Sequence, residues 1–268
     1  MSTVVSKDGT TIAYDRRGSG DPVILVDGAT CSRAFGPMPE VAGKLSDRFT
    51  VFAYDRRGRN ESGDTQPYAV QREIEDIQAL IAEAGGSAAL VGYSSGAVLA
   101  ARAAAHDIGV TKLVMWEPPV LVDDSREPVP ADYHDQLRKA VAEGRNGDAF
   151  VLFVTLAVGM PEAMVEPMKG SPIWSQMEAV ASTLLYDALC IGDEVQGEEL
   201  RDELVEKLAA VTAETLVLDG GASPAWMRRS AREVADAIKG ARYDTIDGVD
   251  HNVPADAIVP VLREFLRA

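Results

Sequence analysis

Histidine and cysteine are scarce in this chain, and each scarcity narrows the chemistry. Three histidines, His106, His134 and His251, occur in 268 residues, so an imidazole base must be one of them. The two cysteines, Cys31 and Cys190, give no disulfide framework and no zinc-type spacing, so neither a metal nor a cofactor is expected. Positive charge is also short. Lys and Arg number 26 against 42 Asp and Glu, a formal charge of −16. That balance disfavours nucleic acid and anionic membranes as partners. No apolar run approaches the roughly 20 residues of a membrane-spanning helix. The Met-Ser-Thr-Val-Val start has no basic region leading into an apolar core, so the expectation is a cytoplasmic chain without a signal peptide. There are no internal repeats and no low-complexity stretch. The length suffices for one large hydrophobic core, with or without an insert.

The most informative stretch runs from Ala88 to Ala100. It opens with a short apolar run and continues Gly92-Tyr93-Ser94-Ser95-Gly96, then becomes Ala-rich and helical to about His106. That pattern is strand, sharp turn, helix. A serine that attacks a carbonyl must stand clear of the sheet on a strained turn, and flanking glycines let strand and helix approach closely. Ser94 would then lie at a helix N-terminus, where orphan N–H groups and the helix dipole favour negative charge. The N–H of Ser95 would be one donor to an oxyanion. An ordinary close-packed strand–helix turn carries the same five residues, so the motif depends on its context.

The context is an alternation of strands and helices. Residues 3–6 and 10–16 read as a hairpin around Lys7-Asp8-Gly9, and Val23–Val26 as a buried strand ending in Asp27-Gly28-Ala29-Thr30. A helix is expected over 37–45 and a strand over 49–54, closing on Asp55-Arg56-Arg57-Gly58-Arg59. A further helix over 69–84 carries Ile74, Ile77, Leu80 and Ile81 on one face. The Ser94 strand and helix follow, then a strand over 112–116 ending on Glu117-Pro118-Pro119. Alternation resumes with a strand over 214–219, a helix over 225–238, a strand over 243–246 and a terminal helix to about Leu266. Such alternation predicts an α/β fold with a mostly parallel central sheet flanked by helices.

Between the two runs, residues 120–211 read as helical, broken at Gly144, Pro161, Gly170, Pro172, Gly192 and Gly197. This range is expected to be an inserted helical lid, with 1–119 and 212–268 as the core. Its Met, Phe and Leu residues mostly form its own core, and a few, Trp174 among them, are expected to line a substrate pocket.

Sites on parallel sheets gather at the carboxyl ends of strands. Asp27-Gly28, Asp55, Ser94, Glu117 and the Asp250-His251 stretch all fall there. His251, after the last strand, is the natural general base. His106 is expected to cap the helix after Ser94, and His134 to lie on the lid surface. Cys31 is expected to be a buried packing residue, and the Asp55–Arg59 loop chiefly a structural tie.

The order Ser94, acid, His251, with Asp27-Gly28 and Asp55-x-Arg57-Gly58 before it, resembles the α/β-hydrolase superfamily over essentially the whole chain. The resemblance implies Ser94 as nucleophile, His251 as base, and the N–H groups of Ala29 and Ser95 as the oxyanion hole. Two departures matter. Asp27-Gly28 stands where His-Gly is usual, so Asp27 and Gly28 are candidate substrate contacts, as is Tyr93 beside the nucleophile. The loop after the penultimate strand, Asp219-Gly220-Gly221-Ala222-Ser223, lacks the acid at its usual place. The acid is therefore Glu117, at the strand beside the nucleophile, or Asp219; a lid hinge or helix cap is the structural alternative for Glu117. Glu117-Pro118 followed by Leu121-Val122-Asp123-Asp124, the Ser-Ser-Gly elbow, Asp-Gly at the oxyanion loop and Pro172-Ile173-Trp174 are similar to zearalenone lactonases.

These residues imply acyl transfer to water, with a small hydrophobic ester or lactone as substrate, zearalenone among the candidates. A carbon–carbon bond hydrolase of a diketone and a non-catalytic ligand-binding protein are the alternatives. Whether the chain is a homo-oligomer is left open.

Overall fold

The computed structural model describes residues 1–120, 126–192 and 206–267. Eight strands form one sheet: β1 Ser2–Val5, β2 Thr11–Arg17, β3 Pro22–Val26, β4 Thr50–Tyr54, β5 Ala88–Tyr93, β6 Val110–Trp116, β7 Glu214–Gly220 and β8 Arg242–Ile246. Their order is β1-β2-β4-β3-β5-β6-β7-β8. β1 and β2 pair antiparallel, and every pairing from β4 to β8 is parallel. The chain reverses its direction of travel across the sheet at β3 and β5, where Val26 pairs with Gly92. That switch point opens a crevice at the carboxyl edge.

The apolar runs explain the layers. Successive side chains of a strand point to opposite faces, so a strand covered on both sides must be apolar at every position. Ile24 and Val26 pack into one cluster with α2 (Val70–Glu83), α3 (Ser95–Ala104) and a later helix, Ala225–Ala237. Val23 and Leu25 pack into the other with α1 (Met38–Leu45) and the terminal helix Ala255–Arg267. The apolar face expected on α2 is buried. So are its acidic residues Glu73, Glu75 and Asp76, which amphipathic spacing alone does not foresee.

Between β6 and β7 lie α4 (Tyr133–Ala142), α5 (Asn146–Leu152), α6 (Glu162–Val165), α7 (Pro172–Val180) and α8 (Leu184–Ile191). The two core helices that follow are α9 (Ala225–Ala237) and α10 (Ala255–Arg267). α5 runs on as a π-helical turn, Phe153–Ala157. Tyr133, Leu137, Phe150, Val154, Trp174 and Met177 form a separate cluster, whose partly buried margin reaches Ala29 and Phe35. Val120, Cys190, Leu208 and Val211 instead join the sheet's own core beside α3. The packing thus changes partners within residues 120–211.

Two local expectations are corrected. Pro172 is not a break but the first residue of α7: its fixed φ suits that position, and the Ser171 hydroxyl accepts the Trp174 N–H at 3.3 Å. His134 lies not on the surface but largely buried on α4, with its ring 5.9 Å from that of Tyr133. His106 is exposed just beyond α3. Leu121-Val122-Asp123-Asp124 and Gly197 lie outside the described residues. No helix of the described residues is long and apolar enough to cross a membrane.

Candidate active site at the carboxyl edge

Ser94 is the residue just past β5. It has φ +56° and ψ −126°, a conformation that side-chain-bearing residues rarely adopt. Such strain costs on the order of 1–3 kcal/mol and persists only where the surroundings enforce it. The enforcement is visible. A Cβ on Gly92 would come within 2.5 Å of Ala97 Cα, and one on Gly96 within 2.2 Å of the Val26 carbonyl oxygen. Only glycines allow α3 to sit this close to β3 and β5. The Ser94 N–H donates to the Trp116 carbonyl at 2.9 Å, and Ser95 opens α3, so its N–H is one of the helix's orphan donors.

The turn after β3 lies directly on this elbow. A Cβ on Gly28 would meet Ser94 Cβ at 2.9 Å and the Tyr93 carbonyl oxygen at 2.8 Å. The absence of a Cβ at Gly28 thus lets the turn that carries Ala29 approach the Ser94 elbow closely. Ser94, Ala29 and His251 are all half-buried.

Glu117 follows β6 as Ser94 follows β5, and it too has positive φ, +43°. Its side chain is fully buried. One carboxylate oxygen, Oε2, lies 2.7 Å from His251 Nδ1; the other, Oε1, accepts the Gly220 N–H at 2.8 Å. The Glu117 N–H donates to the Leu218 carbonyl at 2.9 Å. Both oxygens are therefore fixed, and the imidazole meets the second. His251 is held from behind as well: its carbonyl accepts the Tyr93 hydroxyl at 2.9 Å and the Trp116 indole N–H at 3.0 Å. The Tyr93 and His251 rings lie 5.0 Å apart.

The other candidate acid points elsewhere. Asp219 Oδ2 accepts the Tyr243 hydroxyl at 2.5 Å and faces Arg228 Nε at 3.4 Å. Its Oδ1 has no hydrogen-bond partner among the described residues.

Three residues expected to touch substrate are placed differently. Tyr93 is buried, and its hydroxyl is committed to the His251 carbonyl, so it helps to hold His251. Trp174 packs edge-on against Phe150, 5.3 Å between centroids, inside the helical insert's own cluster. Asp27 is 2% exposed, beneath the turn rather than on it. Burial pushes its carboxyl well above the usual range, against the pull of Arg59 and Arg56. Its Oδ1 has no partner among the described residues. Cys31 is buried, and its thiol is pushed up to about 12 by burial first and by Asp27 next, which makes it inert at neutral pH.

The Asp55–Arg59 loop is a structural tie of unusual depth. Asp55 accepts the Arg33 N–H and Nε, and Arg57 pairs with Asp76 and Asp8. Arg56 is gripped by both oxygens of Glu73. Arg56 and Arg59 share a carboxylate that sequence reading passed over, Asp187 of α8. The available signal was a lone acid in Leu184-Leu185-Tyr186-Asp187-Ala188-Leu189-Cys190-Ile191, a stretch otherwise almost wholly apolar.

A mostly parallel eight-stranded sheet with a strained Ser elbow at its switch point defines the α/β-hydrolase class. The sequence model described as "Alpha/beta hydrolase family" matches residues 18–262, and the chain belongs to that family. The crystal structure of an alpha/beta hydrolase from Sphaerobacter thermophilus DSM 20745 is 50% identical, covers 99% of this chain and 100% of its own, and superposes with a TM-score of 0.90. A non-heme haloperoxidase from Rhodococcus erythropolis is 25% identical over the full length of both chains. An enol-lactonase from Burkholderia xenovorans LB400 is 21% identical with full coverage of both chains and a TM-score of 0.72, a likeness of fold.

Proposed function

We propose that the chain is a serine hydrolase acting on an ester or lactone through an acyl-enzyme. The observation that carries this is the line from Gly220 N–H through the Glu117 carboxylate to His251 Nδ1, at the same sheet edge as Ser94, which is held in a strained elbow next to Tyr93, whose hydroxyl donates to the His251 carbonyl. In this reading the Ser94 hydroxyl attacks the carbonyl carbon. His251 Nε2 takes its proton and returns it to the leaving oxygen, so the first alcohol or enol departs neutral. Glu117 stabilises the imidazolium and fixes its tautomer. The N–H groups of Ala29 and Ser95 hold the oxyanion. Water then attacks the acyl carbon by the reverse route, and the acid product leaves.

The apolar margin of the helical insert beside Ala29 and Phe35 supports a hydrophobic acyl or lactone group. The enol-lactonase of like fold is in keeping with a lactone. A resorcylic lactone such as zearalenone rests on the short motifs of the sequence alone. The test is hydrolysis of p-nitrophenyl butyrate, zearalenone and a γ-lactone by wild type and Ser94→Ala, with fluorophosphonate labelling of each. The expected result is turnover and a Ser94 adduct in wild type, both absent in the variant. A wild type that neither labels nor turns over any of the three would leave a ligand-binding protein on a hydrolase fold.

A further inference from the structure

Asp187 belongs to the insert in sequence and to the nucleophile in space. Its carboxylate is 2% exposed on α8, which packs against α3. Oδ1 accepts the Ser95 hydroxyl at 2.7 Å and Arg56 Nη1 at 2.5 Å, and Oδ2 accepts Arg59 Nη2 at 2.6 Å. Burial pushes this carboxyl up, but Arg56 and Arg59 outweigh it and hold it below the usual range. It is a buried anion whose every described partner is a donor.

What those donors hold gives the cluster its meaning. Arg59 Nη1 donates to the carbonyls of Gly28 at 2.7 Å and Cys31 at 3.0 Å, the two ends of the turn that carries Ala29. Arg59 Nε donates to Thr183 Oγ1 at 3.0 Å, just before α8. Arg56 Nη1 also reaches the Asp27 carbonyl at 3.3 Å. One carboxylate therefore grips Ser95 directly and the 28–31 turn through Arg59. Ser95 and Ala29 are the two residues whose N–H groups would form the oxyanion hole.

We infer that Asp187 is a positioning residue that sets the separation of the two oxyanion donors and makes it depend on the seating of α8. This rests on the serine-hydrolase reading above. The alternative is a buried ion cluster that stabilises the fold and nothing more. The two differ in what they move. An oxyanion hole acts on the tetrahedral state, so its distortion lowers kcat and leaves KM nearly unchanged.

The experiment compares wild type, Asp187→Asn, Ser95→Ala and Asp76→Asn with p-nitrophenyl butyrate, together with the affinity of a trifluoromethyl ketone that forms a tetrahedral adduct on Ser94. Asp76 is the control: it is the buried partner of Arg57, whose hydrogen bonds go to Asp76, Asp8 and the Arg72 carbonyl rather than to the 28–31 turn. Misplacing a catalytic donor by an ångström or losing one costs roughly 100-fold. The expected result for Asp187→Asn is a kcat loss of about 30- to 100-fold, a KM within about threefold, and a parallel loss of ketone affinity. Asp76→Asn is expected to lose stability with kcat retained. Should Asp187→Asn not fold, Ser95→Ala carries the test, because it removes one of the three grips and keeps the N–H; about a threefold fall in kcat at unchanged KM is expected. An unchanged kcat in folded Asp187→Asn, or in Ser95→Ala where that variant stands in, overturns the inference while leaving the hydrolase intact. So does an equal kcat loss in Asp76→Asn. A wild type without labelling or turnover overturns the hydrolase reading and this one with it.

Discussion

Glu117→Gln tests the proposed triad with almost no change in shape. The Glu117 carboxylate spans two donors, Gly220 N–H at 2.8 Å and His251 Nδ1 at 2.7 Å, in a fully buried position. A carboxylate can accept from both; an amide cannot. If the Gln oxygen faces Gly220, its NH2 faces Nδ1 and donates to it. Nδ1 is then an acceptor, the ring proton moves to Nε2, and the imidazole presents a donor to Ser94 where a base is needed. If the amide flips, its NH2 opposes the Gly220 N–H, and a buried donor pair is left unsatisfied at a cost of about 1–3 kcal/mol. The first arrangement satisfies every bond and is the one expected. Its consequence is the wrong tautomer in nearly every molecule. The expected loss in kcat is on the order of 10³- to 10⁴-fold, or about 4–5.5 kcal/mol of transition-state stabilisation, the scale seen when a triad acid becomes its amide. Stability is expected to change by less than about 1.5 kcal/mol, because the isostere keeps packing and both contacts. The assay is ester hydrolysis beside a denaturant curve, with Asp219→Asn in parallel. A folded Glu117→Gln within tenfold of wild type, with Asp219→Asn inactive, would refute the assignment and move the acid to Asp219 on β7.

Two smaller perturbations probe the supports. Tyr93→Phe removes one of two donors to the His251 carbonyl and leaves the Trp116 N–H in place; about 1 kcal/mol of stability and a few-fold in kcat are expected to go, and an unchanged denaturant midpoint would show that hydroxyl to be idle. Asp27→Asn concerns pH. Burial raises the Asp27 carboxyl against Arg59 and Arg56, so the folded state keeps a proton that the unfolded state gives up. Its stabilising contribution is full below the unfolded pKa of about 3.9 and fades as pH rises toward the folded value. Wild type is therefore expected to lose stability relative to Asp27→Asn between pH 5 and pH 8, and parallel stability curves for the two proteins would contradict this.

The sequence by itself determined the order of the elements and the candidate chemistry, because both are written in local pattern. Val23–Val26 and Ala88–Val91 are apolar at every position, which only a strand covered on both faces requires, and the structure places them in β3 and β5. Gly92-x-Ser94-x-Gly96 announced a close turn, and the distances a Cβ would meet at both glycines give the reason. With three histidines, His251 was the choice that fell after the last strand. Other features rest on contacts between residues far apart in the chain. Whether Glu117 or Asp219 faces His251 depends on which way each side chain leaves neighbouring strands, and periodicity carries no such direction. Tyr93 and Trp116 read as apolar strand residues, yet their polar tips meet behind His251. Asp187 met Ser95 and Arg59 across separations of 92 and 128 residues, and Glu73 and Asp76 of α2 are buried where two arginines of one loop, Arg56 and Arg57, pair with them. Burying a charge costs several kcal/mol unless a partner is there to offset it, and only the tertiary structure brings the partner.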